Sequence, residues 1–217
     1  MKNSNFFLLA VTAATVVSCG THPSSYTING TVSDTSLNGN KVYLTDMASR
    51  NVLDSALIAD GKFTFTGKAD TALICRIQSR PYRMELVLEN GDIAVEMGET
   101  TKCSGTPLNE SFALFVSDMD SLRNVMIAKQ QEMMQKGLSE EELREAWQDF
   151  QTNTVMPEFN RVMSENFDRN KDNAVGAWVI ADWGLEPVQF DSVLNLAGET
   201  LQSNPLIKKM LQQQEML

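Results

Sequence analysis

Histidine is almost missing from this 217-residue sequence, which has His22 and no other. That scarcity removes the Ser-His and Cys-His dyads of nucleophilic catalysis and most zinc sites, which draw on imidazole. Cysteine is nearly as rare, at Cys19, Cys75 and Cys103, and no two stand in a Cys-x-x-Cys pair of the kind a thioredoxin-type centre uses. No glycine-rich phosphate loop precedes a helical pattern. Positive charge is short as well: 18 Lys+Arg face 28 Asp+Glu, a net charge of −10, which argues against a phosphate-tracking nucleic-acid surface. No apolar run reaches the ~20 residues of a membrane-spanning helix. What remains is ordinary globular composition, 42% hydrophobic and 21% charged, enough for one or two domains with real cores and neither disordered nor collagen-like.

The first residues carry an address. Lys2 opens a short basic region, and Phe6 to Val17 are all apolar, small or Thr, ending in Val16-Val17-Ser18-Cys19. Too short to span a bilayer, this run reads as the apolar region of a lipoprotein signal peptide over residues 1–18. Cys19 is then the lipidation site and the first residue of the mature chain; the alternative is a plain secretory signal with an incidental cysteine. Acyl chains buried at ~0.8 kcal/mol per CH₂ make a two- or three-chain anchor effectively permanent. The expected location is the cell envelope, lipid-anchored in the outer membrane on its periplasmic or surface face. Residues 19–25 form a polar, lipidated tether reaching roughly 20 Å at ~3.3 Å per residue, with His22 as a solvated spacer.

From Tyr26 to Gly105 the apolar period is two. Tyr26, Ile28 and Val32 alternate with polar residues, as do Val42 and Leu44. Val52 to Ile58 leads through Ala59-Asp60-Gly61-Lys62 into Phe63-Thr64-Phe65-Thr66. Asp-Gly between two β-rich runs predicts a hairpin, because Gly61 tolerates the positive φ of a tight turn. Further runs at Leu73 to Ile77, Met84 to Leu88, Ile93 to Val95 and Thr101 to Ser104 complete seven or eight short strands. The expected architecture for 26–105 is an antiparallel β-sandwich or open barrel.

At Pro107 the period changes. Leu108, Phe112, Phe115, Met119, Leu122 and Met126 recur at steps of four and three, one face of a helix opened by Thr106-Pro107 and ended by Gly137. Ser139-Glu140-Glu141-Glu142 is a capping-box pattern for a second helix carrying Leu143, Trp147, Phe150, Phe159, Met163 and Phe167, which Pro157 should kink or divide. Shorter helices are predicted at 174–181, at 188–201 and after Asn204-Pro205. The fold class is α+β, a β-domain over 26–105 followed by a helical hairpin or bundle over 106–217.

Four ordered blocks, Asp54-Ser55-Ala56, Asp60 to Gly67, Leu88 to Ile93 and Ser104 to Asn109, resemble the uncharacterised β-rich domain that follows the lipobox in many Bacteroidetes lipoproteins. The resemblance covers roughly residues 26 to 125, and the later helices more loosely. In longer relatives this domain precedes a thioredoxin-like domain of the AhpC/TSA or TlpA type. The resemblance therefore implies a place near thiol-disulfide oxidoreductases, but the Cys-x-x-Cys helix of those relatives has no counterpart here, so none of their catalytic residues carries over.

Few side chains remain as candidates. Carboxylates such as Glu140 to Glu142, Asp118 and Asp120 fall on helical faces where solvated charge is the ordinary reading. The methionines Met119, Met126, Met133, Met134, Met156 and Met163 have helical core spacing and no histidine beside them, so neither a metal nor another cofactor is expected. Cys75 shares an apolar strand face with Leu73 and Ile77, and Cys103 lies in the last strand; the two are the candidates for a disulfide, the alternative being buried free thiols. Trp178 and Trp183, five residues apart and so on different stripes of one helix, are the candidates for a binding patch. The expectation is a non-catalytic, membrane-anchored binding or interaction module without a nucleic-acid partner. The alternative is an accessory subunit of a thioredoxin-like system whose catalytic domain is a separate chain.

Overall fold

The computed structural model describes residues 23–215. The expected signal sequence, Cys19 and His22 lie outside them. Eight strands come first: β1 (Tyr26–Val32), β2 (Lys41–Asp46), β3 (Val52–Leu57), β4 (Lys62–Gly67), β5 (Leu73–Ser79), β6 (Tyr82–Leu88), β7 (Gly91–Met97) and β8 (Lys102–Ser104). They form two four-stranded sheets, ordered β4-β1-β7-β8 and β3-β2-β5-β6, which do not close into a barrel. Period-two side chains meet between them: Ile28, Val42, Leu44, Phe65, Ile77, Leu86, Ile93 and Val95 are each at most 1% exposed. Every such side chain contributes roughly 1.5–3 kcal/mol by leaving water.

Two details depart from the period-two reading. The Asp60-Gly61 turn forms as predicted, with both residues at positive φ and Ala59 and Lys62 exchanging two backbone hydrogen bonds of 2.9 Å. Yet the strands it joins enter different sheets, β3 pairing with β2 and β4 with β1, so the turn is a corner of the sandwich instead of the tip of a hairpin ladder. The ladders are antiparallel apart from β1 and β7, which run parallel from Tyr26↔Gly91 to Val32↔Met97. The chain reaches β7 only after passing through the whole second sheet, a connection long enough for parallel pairing.

The helices are α1 (Pro107–Gln135), α2 (Glu140–Phe150), α3 (Met156–Asn170), α4 (Ala174–Trp183), α5 (Pro187–Leu194), α6 (Glu199–Gln202) and α7 (Pro205–Gln214). α1 turns at Gly137 (φ +62°) into α2, whose Ser139–Glu142 capping box is complete. Between α2 and α3 the chain stays helical through a π-turn at Gln151–Val155, just before Pro157, a residue with no N–H to give to a regular helix. The single helix expected over 188–201 is broken in two. The Gly198 N–H bonds the Lys171 carbonyl at 2.7 Å and Asp172 packs where a Cβ at 198 would stand, which pins the backbone between α5 and α6.

The helices pack on the outer face of the second sheet. Ile74 of β5 and Val87 of β6 point away from the sandwich interior into a second core with Phe112, Phe115, Met163, Phe167, Val179 and Ile180. Polar contacts add to it: Lys209 Nζ donates to the Ala48 carbonyl at 2.6 Å, and Asn204 Nδ2 to that of Ala72 at 3.4 Å. Strand and helix segments thus share one apolar core across the sheet.

Candidate functional site: a cleft between two sheet edges and the first helix

β6 ends one sheet and β8 ends the other, so their outer backbone groups need partners from outside the sheets. Asn109, in the first turn of α1, supplies one rung. Its Nδ2 donates to the Val87 carbonyl at 2.7 Å and its Oδ1 accepts from the Val87 N–H at 2.9 Å, as a neighbouring strand would. Asn109 is 1% exposed, and its Oδ1 also accepts from the Cys103 thiol at 3.2 Å. The start of α1 is held by Glu89, whose Oε1 accepts from the N–H groups of Leu108 (2.8 Å) and Asn109 (3.3 Å), a carboxylate at the positive end of the helix.

Beyond that rung α1 leaves a cleft of about 730 Å³ against β6 and β8. Its apolar surface comes from Ala113, Val116, Met119 and the half-buried Trp178, which stands edge-on to Phe112 at 6.1 Å. Most of its acids are engaged. Glu85 pairs with Arg76 at 2.7 Å, Asp120 with Arg123 at 2.6 Å, and Glu110 accepts from the Gly105 N–H at 3.0 Å. Asp182 has no ion-pair partner among the described residues, and burial together with the Glu85 charge raises its pKa above the usual carboxylate value. Arg83 and Lys102 are exposed cations of the cleft with no salt bridge among the described residues.

The candidate site residues fall apart in space. Cys75 and Cys103 are both free, so the disulfide alternative is not formed. Cys75 faces the sandwich core, while Cys103 sits at the cleft and donates a hydrogen bond to Asn109 Oδ1. Burial pushes both thiols up to about 12, helped by the charge of Asp46 at Cys75 and of Glu110 and Glu89 at Cys103. At neutral pH neither is a thiolate, and only the thiolate attacks a disulfide or binds a metal. Trp178 and Trp183 do not form one patch. Trp183 lines a separate depression of about 630 Å³ between α3 and α5, its Nε1–H bonding Asn160 Oδ1 at 3.1 Å. No three His, Cys, Asp or Glu side chains cluster as a metal site among the described residues. None of the described helices is long and apolar enough to cross a membrane.

Arg83, Glu85, Lys102 and Asn109 were invisible as a group in the sequence, because strand order alone brings them together. One signal did exist: the unbroken apolar triplet Leu86-Val87-Leu88 marks a strand buried on both faces, and hence a second layer over it. No curated protein matches the chain. Residues 26–112, from the first strand of the sandwich through the Asn109 turn of α1, match the family model described as Domain of unknown function (DUF4369), so the chain carries an N-terminal domain of unknown function.

Proposed function

We propose that this chain is a non-catalytic, lipid-anchored protein of the cell envelope, held in the outer membrane through Cys19, whose folded part binds a segment of a partner protein in the cleft between β6, β8 and α1. The observation that carries the reading is the composition of that cleft. Unpaired strand edge, an apolar wall and two free cations lie together around a thiol that is protonated at neutral pH. Such a surface has recognition groups, and its thiol is not an activated nucleophile. The resemblance to the lipoprotein domains that precede thioredoxin-like domains suggests the class of partner, a separate chain with a thioredoxin-like domain.

Site-specific photo-crosslinking in intact envelopes tests this. A benzophenone side chain at Val116, in the cleft, is expected to give a discrete protein adduct, and one at Val188, exposed beside the Trp183 depression, is expected to give none. Adducts of equal yield at both positions, or none at Val116, would reject the cleft as the binding surface.

A further inference from the structure

The Asn109 rung fixes which way the β6 backbone faces. Both backbone groups of Val87 point to Asn109 and so away from β5; Ile74, opposite Val87, likewise gives its carbonyl to the Met47 N–H at 3.0 Å. Backbone direction alternates along a strand, so the N–H and C=O groups of Glu85 and Arg83, two and four residues before Val87, point the same way. They face the cleft, and no hydrogen-bond partner for them is found among the described residues. Across the cleft β8 also turns backbone groups outward. Gly91 N–H bonds the Ser25 carbonyl and Met97 C=O accepts from Ser33, which turns the odd-numbered residues of β7 toward β1 and the even-numbered toward β8. Ala94↔Ser104 and Glu96↔Lys102 are then the bonded pairs, and the backbone of Cys103 between them faces outward.

We infer that the β6 edge at Arg83 and Glu85 takes up an extended segment of a partner protein as an added strand, continuing the ladder that the Asn109 side chain begins, and that this segment carries both acidic and apolar residues. The inference rests on the reading of the cleft as a protein-binding surface and adds the mode and chemistry of binding. Main-chain hydrogen bonds to an open edge supply affinity, and alternate side chains supply specificity. On one side of an added strand stand Val116, Met119 and Trp178, which suit apolar side chains. The cations without salt bridges among the described residues, Arg83 and Lys102, suit carboxylates. Of the cleft's acids, Glu85 and Asp120 are paired with arginines and Glu110 accepts from a backbone N–H, which leaves Asp182 as the one acid without such a partner among the described residues. Salt screens charges beyond ~8 Å, so these two local cations and not the net charge of the chain select the segment.

The probe is a capped heptapeptide of alternating Glu and Val, added to the mature protein while amide hydrogen exchange is followed by NMR. The expected result is slowing of the Arg83 and Glu85 amides by about tenfold or more at saturation, with N-methylation of the peptide amides facing the edge weakening binding about tenfold. A Lys-Val heptapeptide is expected to bind about tenfold less well, and Arg83→Glu with Lys102→Glu to reverse that order. Binding that leaves the two amides unchanged, or that tolerates N-methylation, overturns strand addition yet leaves the Val116 crosslinking result standing. Equal binding of both peptides overturns the acidic chemistry. No binding at about 1 mM overturns the inference as a whole. Protection of the same amides in the free protein, rising with its own concentration, would assign the edge to a second copy instead.

Discussion

Asn109 satisfies both backbone groups of Val87 through one side-chain amide, donating at 2.7 Å and accepting at 2.9 Å, and so joins the first helical turn to the edge of a β-sheet. The amide is fully enclosed, which makes the joint costly to break. A helix that starts three residues after the last strand has little freedom of placement, and this contact sets what remains.

The first expectation follows from that enclosure. Asn109→Ala leaves the buried N–H and C=O of Val87 without partners, at ~1–3 kcal/mol for each, so stability should fall by about 2–6 kcal/mol. Urea denaturation of the purified variant measures it. A loss below about 0.5 kcal/mol, with the slope of the transition unchanged, would mean that water replaces the amide at no cost.

The second concerns the shared core. Phe115, 2% exposed, lies in one cluster with Ile74 and Val87 of the sheet and with Phe167 and Val179 of the helices. Phe115→Ala should cost about 3–5 kcal/mol and lower both halves in one transition, and residues 26–105 alone should fold poorly. Calorimetry with far- and near-ultraviolet dichroism reads this. Two separate transitions, with the strands melting as in the parent chain, would show that the halves are independent.

Thiol titration supplies the third. Cys75 and Cys103 are raised from an ordinary 9.0 to about 12 by burial. Between those values the folded chain keeps protons that the unfolded chain has lost, so the thiol contribution is fully present below 9.0 and disappears as pH rises toward about 12. The stability gap between the parent and Cys75→Ala should therefore narrow over that range in urea titrations. A gap independent of pH would place Cys75 in a solvated site. At neutral pH the same raised thiols should leave insulin disulfides unreduced above background, with dithiothreitol as donor.

The fourth tests the anchor. Cys19→Ala is expected to release the protein from membranes or to leave it as an unprocessed precursor, read by fractionation and mass spectrometry. Equal membrane retention of a correctly processed Cys19→Ala chain would remove the lipid-anchor reading.

Local chemistry was legible in the sequence because it acts over a few residues. Period two from Tyr26, period 3.6 from Leu108, the Asp60-Gly61 turn, the Ser139–Glu142 box and the Asn204-Pro205 helix start each specify their own backbone. Scarcity was legible too: one histidine and no Cys-x-x-Cys pair describe the chain's chemical means wherever it folds. Tertiary structure alone decided which sheet each strand joined, so that the Asp60-Gly61 turn became a corner and β1 met β7 in parallel. It also buried Val87 on the second face of β6, put Trp178 and Trp183 in different depressions, and left Arg83 and Glu85 on an open edge. Strand pairing and layer packing join residues tens of positions apart through backbone groups that every residue carries, so no local pattern of side chains encodes them.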